Sequence, residues 1–205
     1  MRRSLPILFA VVASITACDR APDEREEPAP SPATAAQPVD AAPPASGARR
    51  YDPTEALLEL KGFSLPNPGG RGTPRPFRFG QAESEVIAAL TTLRGRAPER
   101  SRNDECGAGP INFVSWGDGM ELLFQSGQLA GWAVRRGASP GFATSEGVGV
   151  GSTLADLRRA YPGATVRDDT IGPEFQAGEL FGTLSGATPD ARVTAMWAGA
   201  SCIFR

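Results

Sequence analysis

Two stretches of the chain place apolar side chains four positions apart, shortly after a glycine. The two pairs are Val86 with Leu90, and Leu157 with Tyr161. Because four residues make about one helical turn, each pair lies on one face of a helix, and an amphipathic helix is predicted at both places. The second helix also has a capping box formed by Thr153 and Asp156, whereas Ala82 stands at the capping position of the first.

After each predicted helix, the apolar spacing changes to the two-residue alternation of a strand, with glycine-containing turns between the runs. The predicted strands are Ile111 to Trp116, Met120 to Phe124, Leu129 to Arg135, Glu179 to Leu184, Arg192 to Trp197 and Ser201 to Phe204. The pattern therefore predicts an α+β fold, in which an antiparallel sheet is backed by helices. A duplicated helix-then-three-strand unit builds it, with repeats at about residues 77–136 and 148–205.

A further helix is predicted at the start of this domain. Asp52 can cap it, and Pro53 suits the first helical position. Its apolar face is formed by Leu57, Leu58 and Leu60. Gly62 ends the helix, and the turn-rich stretch from Ser64 to Pro76 is predicted to be irregular.

The first residues of the chain have the pattern of an export signal. Arg2-Arg3 precedes an apolar run from Leu5 to Val12, which is too short to be a stable membrane span. The run leads to Ile15-Thr16-Ala17-Cys18, which resembles the lipobox of bacterial lipoproteins. The resemblance implies that residues 1–17 are a signal peptide and that Cys18 is acylated and becomes the mature N-terminus. The alternative is an uncleaved signal anchor with an incidental thiol.

Residues 18–50 are predicted to be a lipidated cysteine followed by a disordered linker. Mixed charges give way to alanine and proline, a composition with little to bury. About thirty residues of polyproline-like chain reach on the order of 90 Å, enough to lift a folded domain at residues 51–205 off a bilayer. Asp19 resembles the residue that retains some lipoproteins in the inner membrane, which slightly favours that membrane over the outer one.

Composition argues against several classes of active site. The sequence has no histidine, which removes Ser-His and Cys-His nucleophilic sites and most zinc sites. Its net charge is −2 and no basic run is present, so nucleic acid is not a predicted partner. No cofactor is predicted either. Gly137 to Gly141 fits a nucleophile elbow, but Pro140 has no N–H to donate to an oxyanion. The glycines from Gly147 to Gly151 are interpreted as a turn, because the lysine of a phosphate loop is missing.

Paired carboxylates are the remaining enzyme-like feature. Asp168 with Asp169, and Glu174 with Glu179, could support acid–base chemistry or hold calcium. Their spacing matches no oxygen-rich calcium loop, and surface charge is the preferred interpretation.

Cys106 and Cys202 make an even pair in the domain that the export signal would send to an oxidising compartment. A disulfide between them is predicted, and two separate thiols are the alternative. The loop that it closes is about a hundred residues long, so the bond would stabilise the fold by about 4–5 kcal/mol in the chain-entropy model.

The helix-then-strands order resembles the SmpA/OmlA-like small lipoproteins of the outer-membrane barrel-assembly machinery, and their tandem relative, the secreted β-lactamase inhibitor protein. The resemblance lies in the segment from Val150 to Tyr161 and is echoed from Phe79 to Leu90. It implies a helix-backed sheet that contacts another protein rather than an active site.

The predicted function is a membrane-anchored periplasmic lipoprotein that acts as a protein-binding module of the cell envelope, in an assembly or inhibitory role. Its predicted partners are the lipid bilayer, through acylated Cys18, and another envelope protein. Trp116, Trp132 and Trp197 are the candidate binding residues, because tryptophan is enriched at binding hot spots. At least one should be exposed on the sheet, and burial under the helices is the alternative. A lipoprotein hydrolase, or a small-ligand carrier using carboxylates, is the alternative function.

Overall fold

The computed structural model describes residues 56–67, 72–138, 141–169 and 172–202. The predicted signal peptide, Cys18 and the linker lie outside these residues. None of the helices within the described ranges is long and apolar enough to cross a membrane. The elements are β1 Leu57–Glu59, β2 Gly62–Leu65, β3 Arg75–Arg78, α1 Glu83–Arg94, β4 Glu99–Asn103, β5 Ile111–Ser115, β6 Met120–Gln125, β7 Gln128–Arg135, β8 Ala143–Thr144, α2 Leu154–Ala160, β9 Thr165–Asp169, β10 Gly172–Ala177, β11 Leu180–Leu184 and β12 Val193–Gly199.

Eight of the strands form one large sheet with the order β4-β5-β6-β7-β12-β11-β10-β9. Every neighbouring pair in it is antiparallel. Each half of the sheet is a meander of consecutive strands, and the two meanders meet where β7 pairs with β12. At that junction Trp132 lies opposite Ala198, and Val134 lies opposite Met196. A long-range pairing therefore holds the two halves together as one sheet.

The other four strands form a small sheet with the order β3-β2-β1-β8. Strand β8 pairs parallel with β1, while the other pairs are antiparallel. The indole Nε1 of Trp132 in the large sheet donates to the Glu59 carbonyl oxygen of β1 at 2.8 Å. This bond ties the two sheets together through a side chain that is fully buried.

The main hydrophobic core lies on one face of the large sheet. Leu122, Trp132 and Val134 pack there in one cluster with residues of both helices and of the small sheet. The helices contribute Val86, Ile87, Leu90, Leu154 and Leu157, and the small sheet contributes Leu58, Phe63, Leu65 and Phe77. Because side chains alternate along a strand, the intervening residues of β6 and β7 point to the opposite face.

The predicted α+β fold, a sheet backed by helices in a duplicated helix-then-three-strand unit, is wrong. The described chain is mostly β, with twelve strands in two sheets and only two helices, of 12 and 7 residues. A second sheet, rather than helices alone, covers the core face. Each meander also has four strands instead of three. The strands that were not predicted include β4, whose sequence Glu-Arg-Ser-Arg-Asn has no apolar alternation because it lies at an edge.

The helix predicted around Leu57 to Gly62 is also wrong, because these residues form the β1–β2 hairpin. Its capping signal at Asp52 and Pro53 lies outside the described residues. Gly62 has a positive φ of 149°, and a side chain there would overlap the Phe77 carbonyl oxygen of β3. The glycine therefore permits close strand pairing rather than ending a helix. The stretch predicted to be irregular contains β2 and β3.

The two later helices are confirmed. Thr153 Oγ1 accepts from the Asp156 backbone N–H at 3.0 Å, and the capping box of α2 is complete. Helix α1 has no side-chain cap, as predicted from Ala82. The predicted strands from Ile111 to Arg135 match β5, β6 and β7 within a residue or two. Ser201 and Cys202 are not in a strand, and the rest of that predicted strand lies outside the described residues.

Candidate binding groove on the outer sheet face

The face of the large sheet opposite the main core, here called the outer face, carries its own apolar row. Across neighbouring strands, Phe181 lies opposite Trp197, Trp197 opposite Ala133, and Ala133 opposite Glu121. A parallel row runs through Gly199, Gly131, Leu123 and Phe113. The residues of these two rows are not members of the main core cluster. The sheet is therefore apolar at its centre on both faces.

A groove of about 320 Å³ lies along this face. Small residues occupy its centre, where β7 pairs with β12, and larger side chains surround them. The small residues lining it are Ala133, Ala195 and Ala200, and the larger apolar ones include Phe113, Leu123 and Trp197. The groove therefore exists because the junction of the two meanders is built from residues with little or no side chain.

Residues that follow β12 form one wall of the groove. A side chain at Gly131 would overlap the carbonyl oxygen of Ala200, so the chain must cross the outer face closely there. Ala200 N–H donates to the Ala130 carbonyl oxygen at 2.9 Å. Ser201 and Cys202 continue along the groove. Gly131 is thus required by a close approach of backbone rather than by its own φ angle.

The Cys106–Cys202 pair is at disulfide distance, with the two Cα atoms 5.2 Å apart, as predicted. It belongs to a second hydrophobic cluster on the outer face, whose buried members are Cys106, Ile111 and Leu123. The Asn103 side-chain amide donates to Cys202 Sγ at 3.4 Å. The disulfide therefore covers one end of the outer face and leaves the groove beside it.

The polar rim of the groove is formed by Glu121, Arg135 and Thr183. Arg135 Nη2 lies 3.5 Å from the Glu121 carboxylate, and the arginine is well exposed. The Thr183 hydroxyl is 2.6 Å from that of Thr194. An ion pair this exposed contributes little to stability, so both charges can reorganise around a ligand at small cost.

The three candidate tryptophans are buried, with exposed fractions of 3% for Trp116, 0% for Trp132 and 4% for Trp197. The expectation that at least one is exposed is therefore wrong. Trp116 and Trp132 belong to the main core, and the Arg94 guanidinium lies 5.0 Å from the Trp116 ring centroid. Only Trp197 lies on the outer face, where it lines the groove and stacks on Phe181 at 6.5 Å.

Trp197 has one feature that distinguishes it from Trp132. Its indole N–H is buried and has no hydrogen-bond partner, whereas that of Trp132 is bonded to Glu59. A buried donor without a partner is costly, by about 1–3 kcal/mol. Trp116 shares this feature but sits in the core. The structure thus brings one of the three tryptophans to a surface groove and places the other two away from it.

A second cavity, of about 500 Å³, lies between the β1–β2 hairpin and the β10–β11 turn. Its charged residues are already in ion pairs: Lys61 with Glu179 at 3.9 Å, and Arg78 with Glu59 at 2.6 Å. Phe181 lines it together with Phe79. Because its cations and carboxylates neutralise each other, this cavity offers no net charge to an ionic ligand.

The enzyme-like motifs do not form a site in the described residues. Ser139 and Pro140 of the elbow-like motif lie outside them. In the glycine-rich turn, Gly147 N–H donates to the Thr144 carbonyl and Gly149 N–H donates to Ser152 Oγ, so these amides are not free to bind phosphate. No group of three or more His, Cys, Asp or Glu residues that could hold a metal ion occurs in residues 56–67, 72–138, 141–169 or 172–202.

The candidate carboxylates are dispersed. Glu174 lies on β10, opposite Arg167 and Thr183, and Glu179 lies in the turn that follows this strand. Asp168 is exposed on the edge strand β9, and the side chain of Asp169 lies outside what the structure describes.

The pair formed by Tyr161 and Glu146 has shifted pKa values, and a hydrogen bond between the two residues contributes to both shifts. The Tyr161 hydroxyl donates to Glu146 at 2.6 Å, which lowers the pKa of that carboxyl. Burial raises the pKa of Tyr161, and the hydrogen bond to Glu146 adds to the effect. The pair joins the end of α2 to the loop after β8, where the Ser145 hydroxyl also donates to Glu146, at 2.7 Å.

No protein-family model matches this chain, and no curated protein or solved structure shows significant similarity to it. The resemblance to small envelope lipoproteins therefore stays a prediction from the quoted residues. Sequence reasoning missed the groove, although one signal for it was present. The side-chain alternation along β6 points Leu122 and Leu123 to the two different faces of the sheet, so this strand is apolar on both faces.

Proposed function

We propose that this protein is a membrane-tethered protein-binding module of the cell envelope, and that it binds another envelope protein through the groove on its outer face. The observation that carries the proposal is the apolar groove beside Trp197, on the face of the large sheet opposite the main core. An apolar depression at a surface is typical of a site that receives a partner's anchoring side chain.

The groove is suited to receive a side chain from the partner rather than to insert one of its own. Its aromatic residue is recessed, since Trp197 is only 4% exposed, and its small central residues leave room for a side chain from outside. The Glu121–Arg135 pair at the rim can exchange partners with polar groups around such an anchor. This arrangement has the apolar centre and polar rim that protein interfaces share.

The proposed location rests on the first part of the chain. Acylated Cys18 would anchor the protein to a bilayer, and the alanine- and proline-rich residues up to 50 would hold the domain away from it. Asp19 slightly favours the inner membrane over the outer one. These residues lie outside the described part of the chain, so this element of the proposal depends on the lipobox-like sequence.

A carrier of a small apolar ligand is the second candidate. The groove volume of about 320 Å³ is within the lower range of small-molecule sites. A hydrolase is less well supported, because Glu121 is the single carboxylate among the described residues that line the groove, and it is paired with Arg135.

The experiment that tests the proposal fills the groove. Ala133→Phe places a phenyl ring in the centre of the groove, whereas Ala88→Phe makes the same change at an exposed position of α1. Proteins crosslinked to the lipoprotein in intact envelopes are identified by mass spectrometry for the wild type and for both variants. A specific partner should be lost with Ala133→Phe and kept with Ala88→Phe.

Two outcomes would contradict the proposal. One is that both folded variants capture the same proteins as the wild type. The other is that extraction with organic solvent releases a small apolar molecule from the wild type and not from Ala133→Phe, which would support the carrier instead.

A further inference from the structure

The disulfide and the groove share a wall, and the two sides of that disulfide are held differently. On the Cys106 side, Gly109 N–H donates to the Cys106 carbonyl at 2.8 Å, and the Gln125 side-chain amide donates to the Ala108 carbonyl at 2.7 Å. Glu105 N–H donates to the Asn103 side chain at 2.8 Å. This loop therefore keeps its position through hydrogen bonds that do not involve the sulfur atoms.

The Cys202 side makes fewer hydrogen bonds among the residues that the structure describes. Ala200 is bonded to Ala130, but within the described residues Ser201 and Cys202 make no backbone–backbone hydrogen bond. Among the described residues, Cys202 is held by the sulfur bond, by the weak contact of its sulfur with the Asn103 amide, and by packing against the small outer cluster, and the Ser201 carbonyl oxygen lies 3.7 Å from Cys106 Sγ. If the sulfur bond breaks, this wall of the groove is the part that can move.

We propose that the Cys106–Cys202 disulfide is a redox-controlled gate for the groove. In the oxidised protein the bond holds residues 200–202 against the outer face and keeps the groove narrow. In the reduced protein this segment leaves the face, which uncovers Leu123 and the edge of Trp197 beside it. The size of the apolar site offered to a partner then depends on the redox state of one cysteine pair.

The chemistry is a thiol–disulfide exchange with a dithiol reductant. A thiolate of the dithiol attacks Cys202 Sγ, which is the more accessible sulfur because Cys202 is partly exposed and Cys106 is buried. The bond between the two cysteines breaks, and Cys106 leaves as a thiolate that takes a proton. The second thiol of the reductant then attacks the mixed disulfide and releases Cys202 as a thiol. Two electrons and two protons pass to the protein, and the dithiol becomes a cyclic disulfide.

The gate can be tested without a partner, because the three tryptophans report on different places. In a ¹⁵N–¹H spectrum of the full chain in detergent, each indole N–H gives its own resonance. Reduction with dithiothreitol should shift the Trp197 resonance and leave those of Trp116 and Trp132 unchanged. Amide exchange at residues 200–202 should accelerate at least tenfold, while exchange in the Cys106 loop stays within about twofold.

The double variant Cys106→Ser/Cys202→Ser should reproduce the spectrum of the reduced protein, and dithiothreitol should not change it further. If no indole resonance shifts on reduction, the wall stays in place and the gate is refuted. If all three indole resonances shift together, the disulfide stabilises the whole fold rather than one wall of the groove, and the gate is refuted as well.

The gate rests on the proposed function only for what the groove binds. Crosslinking in envelopes with the double variant therefore separates the two ideas. A Trp197-specific shift, combined with partner capture that is unchanged in both the double variant and Ala133→Phe, would keep the gate and refute the groove as the binding site. Absence of the shift, together with loss of capture in Ala133→Phe, would refute the gate alone.

Discussion

The substitution Gly131→Ala tests the junction of the two meanders, because a methyl group at this position has no room. It would overlap the Ala200 carbonyl oxygen and approach the Ala198 carbonyl oxygen at 3.0 Å. These atoms are backbone, so the strain cannot be relieved by rotating a side chain. To accept the methyl group, the segment after β12 must move away from β7.

The expected cost has two parts. Overpacking of a tight site costs about 1–3 kcal/mol. Moving Ala200 weakens its 2.9 Å hydrogen bond to Ala130, which is worth about 1 kcal/mol. The variant should therefore lose about 2–4 kcal/mol of the free energy of unfolding. Measurable loss is expected even in a fold of ordinary stability, which is about 5–15 kcal/mol.

Gly163→Ala provides the matched control. Gly163 is exposed, and a methyl group there meets nothing within 4 Å. The substitution lowers the entropy of the unfolded chain and should be neutral or stabilising by about 0.4–1 kcal/mol. Urea unfolding followed by tryptophan fluorescence measures both variants, and amide exchange at Ala200 reports the local displacement. Equal unfolding free energies for the two variants would refute the close approach of the Ala200 backbone to Gly131.

The remaining predictions concern the capping box, the bond between the sheets and the anchor. Thr153→Ala should cost about 1 kcal/mol in urea unfolding at pH 7, because it removes the cap of α2. The hydrogen bond from the Thr153 hydroxyl and, as a smaller cause, the one from Arg159 hold the pKa of Asp156 below its ordinary value of 3.8. Because the pKa of Asp156 is lower in the folded protein than in the unfolded chain, its ionised carboxylate stabilises the fold at pH values above the unfolded pKa. This stabilisation is lost as the pH falls through the folded pKa. The cost of Thr153→Ala should therefore shrink between pH 5 and about pH 2; a cost independent of pH would contradict this. Trp132→Phe removes the buried indole donor to the partly buried Glu59 carbonyl and should cost about 1–3 kcal/mol; a thermal midpoint equal to that of the wild type would be the contrary result. Mass spectrometry of the mature protein should find Cys18 acylated at its N-terminus, and an unmodified peptide that runs through Cys18 would contradict it.

The features that could be predicted from the sequence are the ones that depend on local contacts. The four-residue spacing of Val86 with Leu90 is a property of one helix, and it located α1 correctly. The capping box at Thr153 likewise involves residues three positions apart. The hairpins of β5, β6 and β7 are separated by short turns, so their pairing also follows from neighbouring residues.

The features that could not be predicted depend on distant partners. Leu57 to Leu60 has a helix-like composition, but pairing with β2 on one side and β8 on the other makes it a strand. No local signal reports that pairing, since β8 lies more than eighty residues away along the chain. Helix α1 is a related case. Its missing side-chain cap is offset by the Gly127 carbonyl oxygen, which accepts from Glu83 N–H at 2.8 Å.

Strand β6 connects the fold to the proposed function. Met120, Leu122 and Phe124 are buried in the main core, while Leu123 is buried in the outer cluster. A strand that is apolar on both faces cannot leave one of them in water without a cost, at about 25 cal/mol for each Å² of apolar surface. Residues 200–202, which are linked through Cys202 to Cys106, cover part of the outer face. The groove beside Trp197 is the part that it leaves uncovered, and this remaining apolar surface is what a partner protein would bury.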